Sequence, residues 1–338
     1  MSVSLVQAHK ILSSYGVSTS LVFGIVGNIL LICVLARQKH PISSCSLYLL
    51  SITIVNLIII QFMLLLVIYS AYNPNPEHNS LVWCKIRSYF FDALIMLYRW
   101  YRIASFIDCA AMSSRHVWIR SFSQARIAYR TVLTITCVCL LIPLHLAVYF
   151  RIEFDRCVPQ SGIYATFFSI YSIFISGWTP PLVMAVCGTI AYRNLKRSRE
   201  RIHSRHLRYI HIDSFVIKAN NERIRKRDQQ LMLLNVCEII LYVSTNILYS
   251  INVTYSTLTY DHVKNAQRIQ IESFISHFSL SFLVIFNNGA SFYLYSIISR
   301  RFRKDLESLL SHCFDYCMQV KPLQNNQSTK FNTKVMMN

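Results

Sequence analysis

Seven runs of mostly apolar residues divide the chain: Ser13–Ala36, Ser44–Tyr72, Cys84–Ser114, Ala128–Tyr149, Ile163–Tyr192, Gln230–Tyr255 and Ile271–Ser299. Each reaches the roughly 20 residues that a helix needs to cross a bilayer, and the third and fifth run longer. The pattern predicts an all-α, polytopic membrane protein. A short N-terminal segment (1–12) precedes a seven-helix bundle (13–299), which is followed by a short amphipathic helix (300–312) and a polar tail (313–338). No basic leader with a small-residue cleavage site stands at Met1 to Ser14, so the first run is expected to act as the insertion signal. The third run is the exception to the apolar pattern, because it carries Arg99, Arg102 and Asp108. An ionisable side chain at membrane depth costs roughly 2.5–3.5 kcal/mol, so each of these is expected to face protein or water.

Composition agrees with a membrane class: 54% of residues are hydrophobic, 14% are charged, and the mean hydropathy is +0.37. The net charge of +19 is spread between the apolar runs and not gathered on one patch, which argues against a nucleic-acid partner. Read as an orientation signal, it places twenty-five Lys and Arg on one side and seven on the other, so the N-terminus is expected outside and the C-terminus inside. Twelve of the twenty-five lie between Arg193 and Arg227, the one long polar connection. That segment reads as a solvated loop held near anionic lipid, or as a docking surface for a cytosolic partner with Ser198 and Ser204 as kinase targets.

Eleven cysteines are present, mostly inside apolar runs, where the thiol behaves as a small hydrophobe. No C-x-x-C pair occurs, so neither a metal centre nor a redox motif is expected, and no cofactor is implied. After the last run, Phe302, Leu306, Leu309 and Leu310 fall on one helical face, as in a helix lying in the membrane interface. Cys313 and Cys317 follow it and are either palmitoylation candidates or reduced thiols. From Gln319 onward the tail has the composition of a disordered segment.

Four features share one register. Gly24-Ile-Val-Gly-Asn28 lies in the first run, and Asn56 stands twenty-eight residues later in the second. Cys84 opens the third run, and Asp108-Cys109-Ala110 begins twenty-four residues after it. Over nearly the whole chain this resembles a rhodopsin-like G-protein-coupled receptor, with its Gly-Asn motif, its helix-two acid position, its helix-three cysteine and its Asp-Arg-Tyr triplet. The resemblance implies a plasma-membrane receptor for an extracellular ligand that signals through a heterotrimeric G protein. It also implies that Cys84 is joined to Cys157 in the second outer loop; two unrelated outer thiols is the alternative. Arg151-Ile-Glu-Phe-Asp155 alternates like a strand, which fits a hairpin lid there.

The chain departs from the family at several positions. Asn56 replaces the usual acid, and a sodium ion needs hard anionic oxygens, so sodium regulation is expected to be weak or absent. Asn287-Asn288-Gly-Ala-Ser-Phe-Tyr293 stands where Asn-Pro-x-x-Tyr is usual, and Leu248 stands where helix six usually kinks at a proline. Cys109 replaces the arginine that reaches the G protein, leaving Asp108 to be met by Arg115, Arg120 or Arg126. Arg102 and Glu238 fall at matching depths of helices three and six, where the family packs an apolar lock. They are expected either to form a buried pair or to remain apart, with Arg102 snorkelling and Glu238 meeting water or neutral. Arg99, one turn higher, is expected to meet Asn246 or a backbone carbonyl freed near Pro180-Pro181.

A ligand pocket in the outer half is expected to draw on Phe91, Asp92, Ile95 and Met96 of helix three, on Asn246 and Tyr249 of helix six, and on Phe278 of helix seven. Ordinary helix packing is the competing explanation for each. Phe91 takes the position of the amine receptors' aspartate and Asp92 is one residue off, which favours a small peptide or an environmental chemical over an amine. Two other functions fit the sequence: a receptor that binds ligand but couples poorly, and a seven-span channel, for which no internal repeat is visible. Metalloprotease, nucleophile-elbow and phosphate-loop motifs are missing, which argues against an enzyme.

Overall fold

The computed structural model describes residues 7–8, 11–37, 43–72, 80–153, 156–208, 215–259, 264–300, 302–312 and 314. Almost all of them are helical. In chain order the helices are α1 (Ser18–Ala36), α2 (Ser44–Tyr72), α3 (Leu81–Met112), α4 (Val117–Ser121), α5 (Ala125–Leu141) and α6 (Leu144–Tyr149). A hairpin of β1 (Phe150–Glu153) and β2 (Arg156–Pro159) follows. After it come α7 (Ile163–Tyr171), α8 (Thr179–Arg208), α9 (Phe215–Leu258), α10 (Ala266–His277), α11 (Leu283–Ile298) and α12 (302–312). Four helical stretches among the described residues are long and apolar enough to cross a membrane: Tyr15–Ala36, Ser44–Phe62, Ala125–Tyr149 and Ile163–Asn194. The chain is thus an all-α membrane protein.

Most boundaries follow from local chemistry. Ser80 starts α3 by accepting a hydrogen bond from the Trp83 amide at 3.4 Å, and Asn265 starts α10 by accepting from the Arg268 amide at 2.9 Å. Pro143, without an amide hydrogen, divides α5 from α6. A π-helical segment, Ser172–Trp178, precedes Pro180-Pro181. Pro181 cannot donate to the carbonyl of Gly177, and the Ser250 hydroxyl of α9 donates to that carbonyl instead, at 2.9 Å. A carbonyl freed here is one of the partners expected for Arg99; the Ser250 hydroxyl takes this one.

One expectation is corrected. The basic segment Arg193–Arg227 is helical over most of its length, as α8 runs on to Arg208 and α9 begins at Phe215. Arg, Lys and Glu are strong helix formers, so the periodicity continues where hydrophobicity ends. The helix containing Leu248 is unbroken from Phe215 to Leu258, consistent with an ordinary side chain where a proline ring would kink it.

The helices close into a ring of neighbours. α1 packs on α2 and α11, α2 on α3, α3 on α8, α8 on α9, and α9 on α11, while α5 lies against α2 and α3. Glycine permits one of these contacts: a Cβ on Gly289 would stand 2.9 Å from the Cα of Gly24, so α1 and α11 meet backbone to backbone. The largest buried cluster centres on α3 and includes Met96, Tyr98, Tyr101, Ile103, Phe106, Met184 and Tyr242. On α12, Phe302 is buried against Leu31, Leu49, Leu234 and Phe292, with Leu306 and Leu309 packed beside it. Leu310, placed on the same face by the sequence reading, is instead exposed. Arg303 of α12 donates to the carbonyls of Ser296 and Ile297 at 3.0 and 2.7 Å, satisfying the open C-terminus of α11.

Candidate functional site

The polar residues of the ring converge on α3. Tyr98 and Arg102, one turn apart, both point into the interior, and α9 and α11 meet them there. The Arg102 guanidinium pairs with the Glu238 carboxylate of α9 through Nη1 and Oε2 at 3.2 Å, with side-chain exposures of 2% and 8%. Its Nη2 donates to Ser291 Oγ of α11 at 2.9 Å, and its plane lies 5.1 Å from the Tyr98 ring centroid. Tyr98 Oη in turn accepts from Asn287 Nδ2 of α11 at 2.8 Å. One cation therefore ties three helices together within a buried layer. Of the two arrangements the sequence left open for Arg102 and Glu238, the structure adopts the pair.

Ser291 and the Tyr98–Asn287 bond were not anticipated. A signal was present: Asn287 and Ser291 are four residues apart and share a helical face, a polar stripe on an otherwise apolar helix. Asn288 and Asn56 are fully buried, with amide side chains unpartnered among the described residues. Asn28 donates to the Gly24 carbonyl at 2.8 Å and to the Asn288 carbonyl at 3.2 Å, which joins α1 to α11. Tyr293 donates to the Phe23 carbonyl at 3.0 Å, so it too serves the α1–α11 contact.

One turn above the pair, Arg99 lies over the Tyr249 ring of α9, 4.8 Å from its centroid. Tyr249 stands one turn along α9 from Asn246, which with a carbonyl near Pro180-Pro181 is the partner expected from sequence. The Asn246 amide donates to its own helix, to the Tyr242 carbonyl at 2.9 Å. Higher still, Asp92 Oδ2 accepts from Tyr171 Oη of α7 at 2.6 Å, and the same hydroxyl approaches Met96 Sδ at 3.6 Å. Ile95 and Met96 are buried in the α3 core and Phe91 packs against it. Phe278 belongs to a different group, a ladder with Phe274 and Phe282 at centroid spacings of 6.4 and 5.6 Å. Of the expected pocket residues, the described contacts gather Asp92 and Met96 around Tyr171 and bring Tyr249 to Arg99, while Phe278 stands in its own ladder.

At the lower end of α3, Asp108 is buried and accepts from Ser44 Oγ of α2 at 2.7 Å, and Ser44 lies 3.0 Å from Ser123 Oγ. This corrects the expectation of an arginine partner: among the described residues, Arg115, Arg120 and Arg126 form no ion pair with Asp108. The start of α2 comes close enough for a hydroxyl to satisfy the acid without a charge. Cys109 is buried beside it. At the opposite end Cys84 and Cys157 form a disulfide with a Cα–Cα distance of 5.6 Å, fastening the hairpin to the start of α3. In the hairpin Ile152 faces Cys157 in antiparallel register.

Beyond that end, between α9 and α10, a shallow cleft of about 260 Å³ is lined by Tyr255, Asn265, Arg268 and Glu272. Glu272 pairs with Lys264 at 2.6 Å and with Arg268 at 2.9 Å. Cys313 and Cys317 lie outside the described residues. Neither models of known protein families nor curated proteins match the sequence.

Proposed function

We propose that the chain is a rhodopsin-like receptor of the plasma membrane. In this reading it is a bundle of seven membrane-spanning helices, with the disulfide end outside and α12 in the inner interface. It binds an extracellular ligand and signals to a heterotrimeric G protein through movement of α9 relative to α3. The observation that carries the reading is the disulfide between the start of α3 and the hairpin before α7, which fastens a two-stranded lid at one end of the helix ring. The imbalance of basic residues supports the orientation. The α1–α11 contact through Asn28, Gly24 and Gly289 supports the register from which the resemblance was drawn.

The contact of Asp92 and Met96 with Tyr171 lies below the lid and supports a ligand site among α3, α7 and α9. A small peptide or an environmental chemical remains the ligand class. One observation favours a variant of the reading in which coupling is weak: the residue after Asp108 is the buried Cys109, so this position presents no cation to a G protein. Nucleotide exchange on representatives of the major G-protein classes, measured in membranes containing the chain, tests the reading. A peptide and small-molecule library serves as the probe. Ligand-dependent exchange on any class supports coupling. Ligand-induced conformational change without exchange on any class supports the weakly coupled variant, and a ligand-gated current that survives G-protein blockade would replace both with a channel.

A further inference from the structure

We infer that the buried Arg102–Glu238–Ser291 cluster is a latch that holds α9 against α3 in the resting state, placed at the centre of the helix ring and not at its lower end. The inference rests on the receptor reading for its consequence in signalling, but not for its geometry.

Three observations carry it. First, the cluster spans the helices that would have to part: Arg102 is on α3, Glu238 on α9 and Ser291 on α11, with contacts of 3.2 and 2.9 Å. Movement of α9 away from α3 must break the ion pair or carry Arg102 with it. Second, the lower end of α3 is committed elsewhere, since Asp108 is bonded to Ser44 of α2. The acid that might have reached toward α9 holds the neighbouring helix instead. Third, the cluster is sealed: the Arg102 and Glu238 side chains are 2% and 8% exposed, so water cannot replace either partner unless the helices part. Asymmetry of cost also suits a latch. An intact buried pair is close to neutral against apolar packing, but removing one member strands a charge, so the equilibrium responds steeply to anything that separates the two.

The test uses the full chain in lipid nanodiscs with a trifluoromethyl-phenylalanine at Ile240, an exposed position two residues from Glu238. Fluorine spectra then report the surroundings of α9 without any ligand. The wild type is expected to show one dominant resonance. Glu238→Gln is expected to raise a second resonance by roughly tenfold or more. Arg102→Leu combined with Glu238→Leu, which restores an apolar lock, is expected to return the spectrum to one resonance. An unchanged spectrum in folded Glu238→Gln protein overturns the latch.

If the single variant cannot be purified, the exchanged pair Arg102→Glu with Glu238→Arg decides: recovery of folded protein supports the pairing, and failure of both this and the double leucine variant overturns it. Basal nucleotide exchange on the same samples separates the two claims. A shifted resonance with raised exchange supports both. A shifted resonance with no change in exchange on any G-protein class leaves the latch standing and counts against the coupled-receptor reading.

Discussion

Two carboxylates of this protein meet cations in opposite surroundings. Glu272 lies beside the open cleft at the disulfide end and is gripped by Lys264 and Arg268 at 2.6 and 2.9 Å. Glu238 meets Arg102 in the middle of the helix ring at the longer distance of 3.2 Å. By distance alone the pairs at the rim are stronger; by consequence the order is reversed. Water and salt screen the rim and would hydrate either partner left alone, so such pairs contribute little. In the interior neither partner has that refuge, and loss of one strands the other. Burial, not contact distance, decides which pair the fold depends on.

The largest expected effect comes from breaking the interior pair. Arg102→Met or Glu238→Gln is expected to destabilise the protein by about 3–5 kcal/mol, seen as a lowered Tm in detergent and reduced yield. A Tm unchanged by either would place the pair in the same class as the rim.

The rim, by contrast, is expected to owe its order to the covalent bond. Cys84→Ser together with Cys157→Ser is expected to cost about 2–4 kcal/mol, and a reductant should lower the wild-type Tm but leave that of the variant unchanged. Between the extremes lies Asp108, buried yet satisfied by a neutral hydroxyl. Ser44→Ala is expected to cost about 1–3 kcal/mol in thermal unfolding, and Ser44→Thr, which keeps the donor, should lose less. The smallest effect belongs to the rim pairs themselves: Glu272→Gln is expected to leave Tm within error at physiological salt, with any difference confined to low ionic strength.

The same contrast explains what the sequence made legible. That the chain is a helical membrane protein follows from long apolar runs, which periodicity reports directly. Arg102 and Glu238 were legible as candidates because charges in an apolar run have few places to go, and spacing along each helix places them at one depth. The third member, Ser291, shows in the sequence only as one end of a polar stripe with Asn287, and a stripe does not name its donor until the facing helix is in place. The partner of Asp108 depended on how closely the start of α2 approaches, which no single-helix pattern encodes. Arg99 meets the Tyr249 ring, and an aromatic face one turn from Asn246 is not marked out as a cation partner by hydrophobic patterning. The basic segment read as a loop because its hydrophobicity ends, while its Lys, Arg and Glu residues continue to favour helix.

A double-mutant cycle between Arg102 and Glu238 tests the importance of the interior pair most directly, with Arg102→Leu, Glu238→Leu and the double variant compared by thermal unfolding in the same lipid. Each single change is expected to lower the Tm sharply, and the double variant should lie near the wild type, giving a large coupling between the two positions. Additive losses, with the double variant the least stable of all, would show that the two side chains act independently and that the centre of the ring is held by something else.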